Sequence, residues 1–570
     1  MVIDRCRATL IHCGVVALGV STICAGGVVA AQVVLTRERG PVATIVLAAE
    51  PTRSAQFAAA ELQYHVQKIT GATLPIASED TEVKGARILV GESKAEAALG
   101  VRSADLKSQE YLIRCGPNAI VLMGRDKDDR GKMDYNDAQT FPDFDVEQGT
   151  CYAVYDFLEK FCDVRWYLPT ELGIVHPTTD TLIVKGRNIR RSPAMRWRSQ
   201  SVGYQIPADL CGDNIKGKEP TPVLPWREQM LWWHRLRLGG EAYSLNHSFY
   251  GYYDRFLKDH PNWFAQGYTG KPPQLCFTHP ELIQQAVQGA RGFFDGKGSK
   301  AGAQAAGNYF GLVPMDNGAW CKCDRCRPLW LDQSVRAPGQ FTNDKASDYV
   351  FGFANAVARE VQNTRPDRWL AVLAYADYAY PPSKEKMEPN VSVQMCFHAR
   401  NIESPSLQEN DLRVLQAWVA DSKERPKYLW LYYCFPSLVA TQQQFRCFPG
   451  FFAHTVVKKM ALYHQAGVRG IYYEPSYLAD MRRSVRLDQL ECYLTWKPAD
   501  DPKLNGDRLI DEFFARYYGA AAKPMREFYC KVEEIYANPN NYPKDWKSHQ
   551  TEKVAWGYLA RKSGWRNLAS

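Results

Sequence analysis

Beyond residue 31 this 570-residue sequence has no apolar run long enough to cross a bilayer as a helix, and no lysine and arginine tract interleaved with aromatics. The first absence excludes a later membrane span. The second argues against a nucleic-acid partner, so the formal charge of +8 is read as solvated surface. Residues 42–186 carry neither a phosphate loop nor a dinucleotide fingerprint. The acidic stretch 126–145, with Asp128, Asp129, Asp134, Asp137, Asp143 and Asp145, lacks the spacing and the turn glycine of a calcium loop, and a solvated, mobile loop is expected there.

What is present starts with a leader. Arg5 and Arg7 precede an apolar segment, residues 13–31, that closes in Val29, Ala30 and Ala31, the pattern of a secretory signal peptide cut before Gln32. Cys24 opens a lipoprotein alternative, which Ile23 in front of it disfavours. A secreted or periplasmic location follows as the expectation. Three of the 16 cysteines lie in the leader, and the odd remainder, several on apolar strand-like runs such as Cys396 and Cys434, reads as buried thiols more than as a disulfide framework.

Residues 32–190 alternate strand and helix. The apolar stripe of Ala58, Leu62, Val66 and Ile69 predicts a helix over 54–70 stopped by Gly71, and Val154, Phe157, Leu158 and Phe161 predict another over 150–161. Strand-like runs at 111–114 and 119–123 flank Gly116, Pro117 and Asn118, the pattern of a hairpin. This is an N-terminal α+β domain, expected to position other parts without chemistry of its own. From 191 to 500 eight buried runs (195–197, 242–245, 274–278, 309–315, 369–375, 391–397, 428–435, 470–473) alternate with amphipathic helices. Near-continuous apolar strands separated by helices imply a parallel sheet covered on both faces, and eight such units fit a (β/α)8 TIM barrel in an α/β fold. Phe513, Phe514, Tyr517 and Tyr518 mark a C-terminal helical cap over 501–570.

In such a barrel the residues just after each strand face one cleft. Asp316 and Asn317 follow the fourth run, Asp377 the fifth, His398 and Arg400 the sixth and Glu474 the eighth, while His247 follows the second. Glycosidic cleavage needs two carboxyl groups, one to protonate the leaving oxygen and one ionised on the other face. Asp316 and Glu474 are the expected pair and Asp377 the reserve. Trp263, Trp320, Tyr375, Tyr378, Tyr380, Tyr433 and Tyr477 are rings of the kind sugar faces stack against, and His247, Asn317, His398 and Arg400 would bind hydroxyl or carboxylate groups. No cofactor is expected for this chemistry. Cys321, Cys323 and Cys326 form a cluster that is structural, with no accompanying His or carboxylate at ligand spacing. Either a zinc closed by a fourth ligand such as Cys276, or one disulfide plus a free thiol, would rigidify the loop carrying Asp316.

The segment GTCYAVYDFLEKFCDVRWYLPTELG (149–173) resembles the closing helix and strand of the α-glucuronidase-type N-terminal domain that precedes many glycosidase barrels. HPNWF (260–264), QLCFTHPE (274–281), MDNGAWCKCDRC (315–326) and EFFARYYGAAAKPM (512–525) together resemble the domain of unknown function 4838 proteins. That group includes the family 163 glycoside hydrolases, endo-β-N-acetylglucosaminidases acting on N-glycans. The resemblance implies an exported carbohydrate-active barrel enzyme with a glycan substrate. Substrate-assisted cleavage of N-acetylhexosaminides uses two neighbouring acids, yet here Asp316 is followed by the amide Asn317, so the partner acid comes from another loop or the sugar differs. The alternative from another class is a glycan-binding protein on a barrel without catalysis. A metal-dependent hydrolase built on the cysteines is a third.

Overall fold

The computed structural model describes residues 32–94, 100, 102–200, 226–299, 303–331, 335–398, 405–432, 452–474, 489–538 and 540. The expected signal peptide lies outside the described residues. Among those described, no helix is long and apolar enough to cross a membrane.

The N-terminal part holds a three-stranded and a six-stranded sheet. The larger one runs Ile189–Arg191, Tyr111–Cys115, Ala119–Gly124, Ala86–Val90, Ala43–Leu47, Ile76–Ser78. Its hairpin pairs Tyr111–Cys115 antiparallel to Ala119–Gly124. The helix Arg53–Thr70 begins where the Thr52 hydroxyl accepts the Ala55 N–H and ends at Gly71, whose φ of 76° is left-handed. Helix Gly149–Phe161 enters so close to the sheet that a Cβ on Gly149 would lie 2.9 Å from the Gly124 Cα, which only glycine at both positions permits.

Most of the acidic stretch is solvated, with Asp128, Asp134, Asp137, Asp143 and Asp145 exposed, but Asp126 and Asp129 are structural. Asp126 accepts the Thr150 N–H at 2.9 Å and the Thr52 hydroxyl at 3.1 Å, and Asp129 accepts Arg53 Nε at 2.9 Å. They tie together the starts of the two helices, a role that local charge density does not reveal.

The second part is built on one eight-stranded sheet, ordered Gly239–Gly240, Trp197–Gln200, Val468–Glu474, Lys427–Tyr432, Val391–His398, Trp369–Ala374, Tyr309–Gly311, Ala305–Ala306. The six inner strands are all parallel, and the outer two are antiparallel two-residue ribbons. Both faces are buried: Leu370, Val372, Val393, Met395, Leu429 and Ile471 lie on the face toward the helices and Ala371, Leu373, Cys396 and Tyr428 on the inner one, the large apolar side chains each contributing about 1.5–3 kcal/mol of apolar transfer. The helices Ser347–Gln362, Pro405–Asp421 and Ala453–Gln465 lie between consecutive strands in the chain, the β/α rhythm of a barrel.

Two of the eight expected strands, 242–245 and 274–278, form no ladder, and 309–315 is a strand only over Tyr309–Gly311. The reason is side-chain substitution for backbone pairing. Val313 N–H donates to Ser248 Oγ at 2.9 Å and accepts from Ser248 N at 3.2 Å through its carbonyl. Gln274 receives the Met315 N–H at 3.2 Å and donates to the Met315 carbonyl at 2.6 Å. The sheet therefore curls into an incomplete barrel whose gap is crossed by irregular but buried chain.

Inside, at the strand N-termini, Tyr243 stacks on Tyr428 (3.8 Å between centroids) and meets Trp197 and Tyr309 edge-on. Glu241 accepts from both tyrosine hydroxyls and from Arg469. This end of the sheet is plugged by packed rings. Two further helices, Gly506–Tyr518 and Ala522–Ala537, follow, and Tyr167 from the N-terminal part packs edge-on to Phe513 and Tyr517 while Arg165 pairs with Glu512 at 2.5 Å. Beneath them Asp156 and Glu159 meet Arg191, Arg237, Lys497 and Asp500 in a buried charge network that joins the N-terminal helix to the barrel.

Candidate active site

Alternation along a strand decides which side chains reach the interior. In Val468–Glu474 the inward set is Gly470, Tyr472 and Glu474, since the Tyr472 ring contacts Trp197 and Trp430 within the barrel. In Lys427–Tyr432 it is Tyr428, Trp430 and Tyr432. Glu474, the last residue of its strand, thus emerges at the C-terminal end of the sheet, where Trp430 Nε1 donates to its Oε2 at 2.8 Å. That bond fixes the carboxylate's orientation.

Asp316 lies at the same end. Chain pairing continues past Gly311 through Leu312 N–H to the Ala371 carbonyl at 2.8 Å, carrying the backbone to a loop whose Asp316 side chain is 54% exposed. The Asp316 N–H donates to Tyr250 Oη at 3.0 Å. His247 Nδ1 sits 2.6 Å from the Pro314 carbonyl, which assigns it the proton and turns Nε2 toward Asp316 Oδ1 at 3.5 Å. Burial pushes the Tyr375 hydroxyl well above its ordinary value, and Asp316, which also shares a hydrogen bond with it, and Glu474 add to the shift. The Cys396 thiol is raised by burial and by both carboxylates. Tyr432 is raised by burial, Cys396 and Glu474, with Tyr375 and Asp316 adding to it. Two acids 158 residues apart in sequence therefore act on the same three side chains.

Asp377 is engaged differently. Its Oδ2 accepts Trp320 Nε1 at 3.2 Å, its Oδ1 accepts Asn343 Nδ2 at 3.3 Å and its carbonyl accepts the Ala346 N–H, so it ties two loops to its own. Asn317, exposed, caps its own loop, its Oδ1 accepting the Ala319 N–H and its Nδ2 donating to the Pro273 carbonyl.

Several expected stacking rings are packed instead. Trp320 is 1% exposed, Trp263 is buried with its Nε1 on Glu281 and its ring stacked on His260, and Tyr378 and Tyr380 are buried too. A ring covered on both faces has none left for a sugar. Arg400, Tyr433 and Tyr477 lie outside the described residues, as does the side chain of His398. Tyr375 and His247 are the expected ligand-binding residues that the fold brings beside Asp316. Sequence reasoning missed Tyr250, Trp430, Cys396 and Tyr432. The signal that could have found the last three was inward alternation, which places Tyr432 at a strand end and Trp430 and Cys396 each two residues before one.

A model of the family described as Domain of unknown function (DUF4838) matches residues 168–531. No curated protein matches the chain. Among solved structures it is similar to a family GH115 4-O-methyl-α-glucuronidase with specificity for decorated arabinogalactans (11% identity, 92% of this chain and 65% of that one, TM-score 0.48). A β-N-acetylhexosaminidase from Bacteroides fragilis matches at 14% identity over 87% of this chain and 92% of that one, TM-score 0.42. A family 89 glycoside hydrolase from Clostridium perfringens matches at 9% identity over 87% and 54%, TM-score 0.44. The chain spans about two thirds of the length of the first and about half of the last.

Proposed function

We propose that this chain, which belongs to the DUF4838 family, is an exported glycoside hydrolase acting on a complex glycan or polysaccharide, with Asp316 and Glu474 as its reacting carboxyl groups. The observation that carries this reading is that both acids stand at the end of the sheet opposite the plugged one, Glu474 as the last residue of its strand held by Trp430 and Asp316 on a loop beside His247 and Tyr250. Asp316, more than half exposed and flanked by His247 and Tyr375, hands its proton to the glycosidic oxygen as the bond to the anomeric carbon breaks. Glu474, oriented by Trp430, either takes the proton of the attacking water or bonds to the anomeric carbon itself. Asp377 supports the loop that carries Trp320 and takes no part in proton transfer.

Purified protein assayed on a panel of aryl glycosides, uronides and N-glycans tests the reading. Asp316→Asn and Glu474→Gln are each expected to lower turnover by about 10² to 10⁴. Unchanged turnover in both variants would refute the assignment. Saturable glycan binding with no product on any substrate would replace it with a binding function.

A further inference from the structure

Beside the loop that carries Asp316, four thiols from two separate stretches of chain come together. The Sγ atoms of Cys276, Cys321, Cys323 and Cys326 all lie within 4.8 Å of one another, with Cys276 3.6 Å from Cys326 and 3.8 Å from Cys323. Four sulfurs around a zinc ion at about 2.3 Å stand about 3.8 Å apart along each tetrahedral edge. A disulfide would need about 2.05 Å, and all four cysteines are free. The observed separations match the first arrangement and not the second.

The surroundings suit thiolates. The Gln266 N–H reaches Cys321 Sγ at 3.3 Å and the Thr278 hydroxyl reaches Cys326 Sγ at 3.1 Å, hydrogen bonds of the kind that orient metal ligands. Lys322 and Arg325 lie between the cysteines and Arg327 follows them, and against the one acid of the run, Asp324, they leave two positive charges to offset the net double negative charge of a zinc ion bound by four thiolates. Three of the four sulfur-bearing residues are buried, and the donor set is complete, leaving no position for water or substrate.

We propose that Cys276, Cys321, Cys323 and Cys326 form a structural zinc site. Binding takes one Zn²⁺ and releases the four thiol protons, with no change of oxidation state. The ion joins the stretch 264–276 to the stretch 315–326. Gln274, two residues before Cys276, already holds Met315 and Asn317, so the zinc fixes the loop on which Asp316 stands. This inference does not depend on the glycosidase reading.

The test is elemental analysis of the full chain, purified without a histidine tag and dialysed against a weak chelator, together with intact mass under denaturing, non-reducing conditions. About one zinc per chain is expected, released as a mercurial titrates the four thiols, and Cys276→Ser and Cys323→Ser should each retain less than a tenth of it. A metal-free wild-type protein, a mass 2 Da low from a Cys276–Cys326 disulfide, iron in place of zinc, or zinc content indifferent to both substitutions would each overturn the proposal. The wild-type measurement decides the matter even if a variant fails to fold.

Discussion

Arg235→Met should be among the most destabilising single substitutions in the chain, although it lies far from the proposed chemistry. The Glu61 carboxylate, fully buried, receives Arg235 Nε at 2.8 Å and Nη2 at 3.0 Å, the Tyr155 hydroxyl at 3.1 Å and the Tyr135 hydroxyl. Burial alone would raise its pKa, but Arg235 and these donors hold it at about 2 against 4.5. That difference is about 3 kcal/mol of preference for the charged form at neutral pH. Removing one partner of a buried pair costs about 3–5 kcal/mol, and the two figures agree. In the variant Glu61 takes up a proton, which limits the loss. Urea denaturation followed by fluorescence should therefore show a loss of about 3–5 kcal/mol at pH 7. The gap between wild type and variant should narrow toward pH 3, because only the wild type has an ionised carboxylate to lose. Glu61→Gln/Arg235→Met should recover part of the stability, since no buried charge is left alone. A loss under about 1 kcal/mol, or a gap that does not change with pH, would refute the reasoning.

Glu61 and Asp156 are both held at about 2. Their contribution is present above the ordinary carboxylate range and is lost as pH falls toward 2, so the difference in urea midpoint between wild type and Asp156→Asn should be nearly flat from pH 6 to 8 and close from pH 5 to pH 3. Trp430→Phe removes the donor that fixes Glu474. It should lower kcat roughly tenfold with KM little changed, and thermal stability should stay within a few degrees of wild type. Asp377→Asn keeps the acceptor for Trp320, and turnover should stay within about threefold, whereas an acid in direct proton transfer would lose about 10² or more.

Much of the architecture is legible because long amphipathic runs dominate it. The stripe of Ala58, Leu62, Val66 and Ile69 and the apolar runs around Val393 and Leu429 have one way to be buried, and strands ending at Glu474 and near Tyr375 put their last side chains at one rim. The chain was less legible where side chains replace backbone ladders. Ser248 and Gln274 take bonds that a strand would make, so 242–245 and 274–278 look like strands by composition and are not. Aromatic residues misled for a related reason. Trp263 and Trp320 follow apolar runs as a sugar platform would, but their indole N–H groups found Glu281 and Asp377, and burial followed. The contacts between Asp156, Arg237 and Asp500 join positions hundreds of residues apart, which no local pattern announces.

The central claim is that Asp316 and Glu474 operate as one unit on one bond. Measuring kcat/KM for Asp316→Asn, Glu474→Gln and the double variant on the best substrate of the panel tests it most directly. Residues acting together are not additive, so the double variant should fall within about tenfold of the worse single one. Losses that multiply, or a single variant with wild-type kcat/KM, would contradict it.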